Sequence, residues 1–355
     1  MRNRPAFADL CIIGPRKRLV VLCLTVCSVG LGLSRSAGAQ TITTFDVPGA
    51  RDTTPRSINP AGAITGSYSD IIGGHGFVRA PNGALTTFDV PDAARTTAVS
   101  INPPGVVTGF YDDASFVTHG FLRAPNGALT TFDVPVAVLG TEPASINAAG
   151  AVTGCYRDSN GFCHSFLRDP DGSFITFEPA GALGSFTTGI NPAGAIVGNY
   201  VDANSVEHGL VRAPDSTLTT FDAPGAGTSP GNFTFAASIN PAGAITGSYT
   251  DANFVEHGFL QATDGTFTTF DAPGAGTRTV PQSINPAGSI TGFYLDPDAA
   301  FHGFVRTLGG AFTTFDVPGA AAGQLMIPTS INPAGEITGW FTDVNGHQHG
   351  FVRSR

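Results

Sequence analysis

The sequence predicts an all-β chain, a seven-bladed β-propeller of four-stranded antiparallel blades whose ring is closed by the N-terminal strand pairing with the C-terminal strand. Three observations predict it. Three phrases each return seven times, at intervals of 43 to 49 residues. Within each unit the apolar residues alternate with period two and no window offers helical spacing. The repeat is also out of phase with the chain: residues 40 onward open with a lone fourth strand, "TITTFDV", and finish on strands one to three, ending "HGFVR". Joining those ends completes the last sheet and leaves no open edge.

The unit reads as follows. Phe45, Phe88, Phe132, Phe177, Phe221, Phe270 and Phe315 each precede an acidic residue in phrases such as "TTFDVPGA". Asn59, Asn102, Asn147, Asn191, Asn240, Asn285 and Asn332 sit in phrases such as "SINPAG", and His75, His119, His164, His208, His257, His302 and His349 open phrases such as "HGFVR". The four strands of a unit are a brief inner "SIN", then "AITGSY", "HGFVR" and "LTTFDV", rich in Thr, Phe and Val. "NPAG" and "PNG" are turn-formers that join neighbouring runs as hairpins. Their spacings are constant, whereas the link from "FD" to the next "SIN" runs from eleven to sixteen residues. Variation is therefore expected on one face.

The first 39 residues are set aside. Arg2, Arg4, Arg16, Lys17 and Arg18 precede the apolar run Leu19 to Leu33, and Ala37 and Ala39 have the spacing of a cleavage site. This predicts a secretory signal peptide over 1–39, because the run is shorter than the roughly 20 residues a spanning helix needs. A single propeller domain over 40–355, secreted or periplasmic and with no membrane insertion after cleavage, is expected. Removing the six basic residues and Asp9 of the leader leaves 12 basic and 26 acidic residues, a net charge of -14. Nucleic acid and anionic membrane are excluded as expected partners, since both are held by basic patches. A monomer without cofactor or metal is expected.

Cys155 and Cys163 lie symmetrically about Ser159 in "CYRDSNGFC", so a hairpin turning there would set them opposite each other. They read as a cross-strand disulfide or as two free buried thiols. The seven histidines recur once per unit, which points to scaffold rather than to a site built once. Asp70, Asp113, Asp158, Asp202, Asp251, Asp296 and Asp343 recur across the adjacent turn, placed to hydrogen-bond the imidazoles. Recurring arginines, from Arg79 to Arg353, are placed to pair with the "FD" carboxylates.

These phrases, "SINPAGAITGSY" followed by "HGFVR" and a Gly-containing turn, resemble the extracellular HAF-repeat family, named for a His-Ala-Phe phrase that here reads His-Gly-Phe in most units. The resemblance covers essentially all of 40–355 and implies export and a propeller-like repeat fold. It implies no activity. The Gly for Ala, and "TTFDVPG" in place of an Asp-Leu-Gly-rich phrase, mark a divergent branch.

Chemistry beyond the repeat is sparse: the sequence has no nucleophile elbow, paired-cysteine zinc pattern or phosphate loop. His347, His349 and Asp343 could approach a metal, but two histidines fall short of the usual ligand count. "DSNG" and "DVNG" lack the later carboxylates of a calcium loop. The expected function is a non-catalytic binding or scaffold module presenting loops to a glycan or protein, with Phe116, Phe233, Phe235, Phe254 and Phe301 as ligand-face aromatics. The alternative is a polysaccharide-acting hydrolase or lyase using carboxylates at the channel mouth, with Asp52, Asp92 and Glu142 as the non-repeating candidates.

Overall fold

The structure, a computed structural model, describes residues 40–354; the signal peptide expected over 1–39 lies outside the described residues. The described residues hold 28 strands and no helix. The lone strand β1 (Ile42–Phe45) is followed by β2 (Asp52–Ile58), β3 (Ile64–Ser69), β4 (Gly74–Arg79) and β5 (Leu85–Phe88). The same quartet then returns as β6 (Arg95–Ile101), β7 (Val107–Asp112), β8 (Thr118–Arg123) and β9 (Leu129–Phe132), and as β10 (Gly140–Ile146), β11 (Val152–Arg157), β12 (Cys163–Arg168) and β13 (Phe174–Phe177). Next come β14 (Gly184–Ile190), β15 (Ile196–Val201), β16 (Glu207–Arg212) and β17 (Leu218–Phe221), then β18 (Thr234–Ile239), β19 (Ile245–Thr250), β20 (Glu256–Gln261) and β21 (Phe267–Phe270). After β22 (Arg278–Ile284), β23 (Ile290–Leu295), β24 (Phe301–Arg306) and β25 (Phe312–Phe315), the described strands finish with β26 (Met326–Ile331), β27 (Ile337–Thr342) and β28 (Gln348–Arg353).

Every quartet is an antiparallel meander, and β1 pairs antiparallel with β28, Thr43 opposite Val352 and Phe45 opposite Gly350. Three single-residue parallel contacts between strands, Gly74 with Arg95, Thr118 with Gly140 and Glu256 with Arg278, join neighbouring meanders, and an isolated parallel bridge links Glu207 to Phe233. The strands consequently sort into sheets of four, twelve, four and eight.

The inner strand differs from the brief "SIN" that the sequence suggests. It is six or seven residues long, and in every unit its register against the second strand slips by one residue, first between Pro55 and Ser57 and last between Pro328 and Ser330. Such a β-bulge leaves one residue unpaired and re-aims its side chain. The glycine of "AITG" makes the bulge fit: a Cβ on Gly66 would collide with the carbonyl oxygen of Thr54. Proline is tolerated at Pro55 because the ladder is already broken beside it.

The core lies between adjacent meanders. Phe77, Phe121, Phe166, Phe259, Phe304 and Phe351, from the "HGF" phrases, have no exposed surface, and each contributes on the order of 2 to 3 kcal/mol by burial. The "FD" phenylalanine of one unit meets the "HGF" phenylalanine of the next edge-on, as in Phe88 against Phe121 at 5.9 Å and Phe45 against Phe77 at 6.2 Å. That ring also lies over the glycine of its own unit, and a Cβ on Gly76 would stand 2.6 Å from Phe88. The glycine of "HGF" thus has a steric cause. Buried threonines follow the same logic of satisfaction: Thr65 donates to the Phe77 carbonyl at 2.8 Å, and Thr246 donates to that of Phe259 at 2.8 Å.

Candidate functional site

The repeated polar residues form one network per unit. His75 Nδ1 lies 3.0 Å from Asp89 and its Nε2 lies 3.3 Å from Asp70, while Tyr68 stacks on the ring at 4.9 Å. The pattern returns at His119 with Asp133 and Asp113, at His164 with Glu178 and Asp158, and at His208 with Asp222 and Asp202. It continues at His257 with Asp271 and Asp251, and at His302 with Asp316 and Asp296. His349 takes Asp343 and, across the β1–β28 pairing, Asp46. Burial alone would depress the His75 imidazole, but the hydrogen bonds and charges of Asp89 and Asp70 outweigh it and raise its pKa.

The turn carboxylates have a second duty. Asp202 Oδ1 accepts the backbone N–H groups of Asn204 and Val206, both at 2.9 Å. Asp343 accepts the backbone N–H of His347 and sits down at about 2. The arginines do not pair with the "FD" carboxylates, whose partner is the imidazole. Arg79 instead lies 4.8 Å over the ring of Phe45 and Arg306 lies 4.5 Å over that of Phe270, each on the preceding unit, as cation–π contacts.

In the sequence the "SIN" asparagines mark the period of the repeat. In the structure Asn59 Oδ1 accepts the N–H groups of Ala61 and Ala63, fixing the "NPAG" turn. Its Nδ2 donates to the Asn102 carbonyl, and the same bond passes from Asn102 to Asn147, Asn191, Asn240, Asn285 and Asn332. Asn332 Nδ2 returns to the carbonyl of Asn59 at 3.4 Å. The period of the repeat is the only sequence signal for this chain of amides.

Cys155 and Cys163 form a disulfide with Cα atoms 5.5 Å apart. They are diagonal rather than opposed, because Arg157 faces Cys163 and Cys155 faces Ser165. The turn centres on Asn160, where Asp158 holds both the Asn160 and Phe162 N–H groups.

Residues that break the repeat gather in one place. The bulge residues Arg56, Val99, Ala144, Thr188, Ala237, Gln282 and Thr329 line a common cavity of about 270 Å³, one from each inner strand. Arg56 is the only charge among them, and its pKa is lowered by burial and by Arg95. Beside it, a cavity of about 390 Å³ takes in Phe110, Glu142, Arg157 and Phe186. Toward the strand ends lie three close ion pairs: Arg95 with Asp112 at 2.9 Å, Arg157 with Glu142 at 2.8 Å and Arg278 with Glu256 at 2.7 Å.

A third cavity, about 240 Å³, is lined by Glu207, Phe233, Phe235, Ser248, Glu256, Val280, Pro281 and Gln282. Glu207 and Glu256 occupy the position before the repeat histidine, which holds Gly74, Thr118, Cys163, Phe301 and Gln348 in the other units. Glu256 is engaged on both oxygens, by Ser248 Oγ at 2.8 Å and by Arg278 Nε. Glu207 Oε1 is out of water with no hydrogen-bond partner. Burial pushes the Glu207 carboxyl up to about 7, against a smaller opposing pull from His208.

The other candidates are placed as follows. Phe233 and Phe235 line the Glu207 cavity. Phe116 and Phe254 stand on hairpin tips at φ 61°, 79% and 56% exposed. Phe301 is half-buried on Phe293. Asp52 holds Ser69 Oγ and the Gln348 N–H, and Asp92 is an exposed turn residue at φ 62°. Among the described residues no three His, Cys, Asp or Glu side chains are grouped to hold a metal ion.

Set against known proteins, this architecture is that of a β-propeller. Virginiamycin B lyase from Staphylococcus aureus is 14% identical with a TM-score of 0.57, over 88% of this chain and 99% of that one. A streptogramin B lyase is 12% identical with a TM-score of 0.57, over 88% of this chain and 97% of that one. A prolyl endopeptidase matches at 10% identity and a TM-score of 0.55, over 89% of this chain and 47% of that one. Identities this low establish likeness of fold alone. No protein-family model and no curated protein matches the chain.

Proposed function

We propose that the chain is an exported binding module, built as a seven-bladed propeller whose ring is closed by β1 on β28 and by the returning asparagine bond. Its ligand surface is the mouth of the axial channel and the adjoining face. One observation carries this reading: the residues that depart from the repeat, among them Arg56, Glu142, Phe186, Glu207 and Phe235, converge on adjoining cavities. A scaffold serving only its own stability has no need to differ from blade to blade there. The extracellular HAF-repeat resemblance agrees with export. The histidine networks belong to the framework of this reading, since each unit carries one.

The test is a glycan and peptide array probed with residues 40–355, repeated with Arg56→Ala, Phe235→Ala and, as an outer-rim control, Phe116→Ala. Loss of binding in the first two and not in the third is expected. Binding lost only in the rim variant would move the surface to the hairpin tips.

A second reading, a hydrolase or lyase acting on polysaccharide, is favoured by Glu207 alone. A carboxyl that titrates at about 7 suits general acid or base work near neutrality. Depolymerisation of a polysaccharide that Glu207→Gln abolishes is the result that would select it.

A further inference from the structure

We infer that the Glu207 cavity binds a basic side chain, arginine or lysine, presented by a peptide or protein partner; this rests on the binding-module reading. Glu207 Oε1 is buried without a donor, and a buried acceptor with no partner costs roughly 1 to 3 kcal/mol. No other polar group of the lining remedies this: Glu256 has its two oxygens occupied by Ser248 and Arg278. A donor must therefore come from outside, or the carboxyl must hold its proton.

Three features select a cation as that donor. The carboxylate of Glu207 is acceptor-only when ionised and takes a guanidinium or ammonium in charge-assisted bonds. Phe233 and Phe235 stand in the same lining, and aromatic walls favour both a cation and the methylene stem that carries it. The chain from 40 onward has 12 basic and 26 acidic residues, so the surrounding field concentrates cations. The wall also holds Val280 and Pro281, apolar surface that suits the methylene stem of such a side chain. The charges beside Glu207 leave room for one more positive group: Arg278 is matched by Glu256, and His208 by Asp202 and Asp222.

Binding then ionises Glu207, and the proton leaves to buffer. Below pH 7 the ligand must displace that proton, so affinity rises as pH is taken from 6 to 8 while a guanidinium keeps its charge.

The experiment titrates residues 40–355 with two capped tripeptides, glycine-arginine-glycine and glycine-citrulline-glycine, by calorimetry in two buffers of different ionisation heat. A capped glycine-lysine-glycine peptide and a glucosamine oligomer form further arms. Expected are preference for arginine over citrulline of tenfold or more, proton release at pH 6 that vanishes by pH 8.5, and loss of that preference in Glu207→Gln. Thermal melting checks that this variant is folded, and Phe235→Leu serves as a second variant that weakens binding while keeping proton release. Equal binding of arginine and citrulline peptides overturns the inference, as does binding of the glucosamine oligomer alone. Binding of neutral ligands that Arg56→Ala abolishes would overturn the cation and keep the binding face, whereas no binding in any arm, with none on the arrays, would overturn both.

Discussion

Replacing Glu207 with Gln removes one buried titrating group and nearly nothing else, which makes its effect on stability calculable. The carboxyl moves from its ordinary 4.5 to about 7 on folding. At about 1.4 kcal/mol per pH unit, that gap corresponds to about 3 kcal/mol, and partial access of water brings it toward about 2 kcal/mol. The folded state binds the proton more tightly, so this contribution is fully present below pH 4.5 and is lost as pH rises through about 7. Gln does not titrate. Urea unfolding of both proteins at half-unit steps from pH 4.5 to 8.5 gives two stability curves, and subtraction removes every group they share, including His75, His164, His302 and His349, whose raised pKa values act in the same direction. The variant should gain about 2 to 3 kcal/mol on wild type across that range. Parallel curves would refute the burial argument, and a difference of opposite sign would mean that the carboxyl is held ionised by a partner.

Three further outcomes are expected. Asn191→Ala strips a partner from the Ala195 N–H and another from the Asn240 carbonyl, and should cost roughly 1 to 3 kcal/mol for each group left buried and unpaired; a thermal shift within error would show that water replaces the amide. Gly76→Ala forces a methyl against the Phe88 ring, which the ideal Cβ would approach to 2.6 Å, so a loss of about 1 to 3 kcal/mol in chemical unfolding is expected, with no loss if the ring swings aside. Reducing the Cys155–Cys163 disulfide, which closes a sequence separation of 8, should lower stability by about 2 to 3 kcal/mol on chain entropy; unchanged melting under reductant would count against it.

The period-two alternation and the recurring turns were enough to place the strands, because each unit repeats the same alternation and the same turn-forming residues. Strand order also foretold the pairing of Thr43 with Val352. Three things were not legible. The bulge in the inner strand arises from a one-residue slip against the second strand, and slip is a property of two strands together. The destination of the Asn59 amide is a carbonyl 43 residues away. Glu207 and Glu256 hold a position that varies from unit to unit, and the lining that Glu207 shares with Phe233, Phe235 and Glu256 is formed only on folding. The arginine placement failed for a related reason: sequence neighbours suggested Asp, while the ring of the preceding unit lies closer in space.

Because Ile42 faces Arg353 across a strand pair, the two ends of the described region are neighbours. A short peptide joining them, with new ends cut into one "PNG" turn such as that at Asn126, would rewire the chain order while leaving each hydrogen-bonded ladder as it is. The order in which the units are translated is thus separable from the object they assemble into.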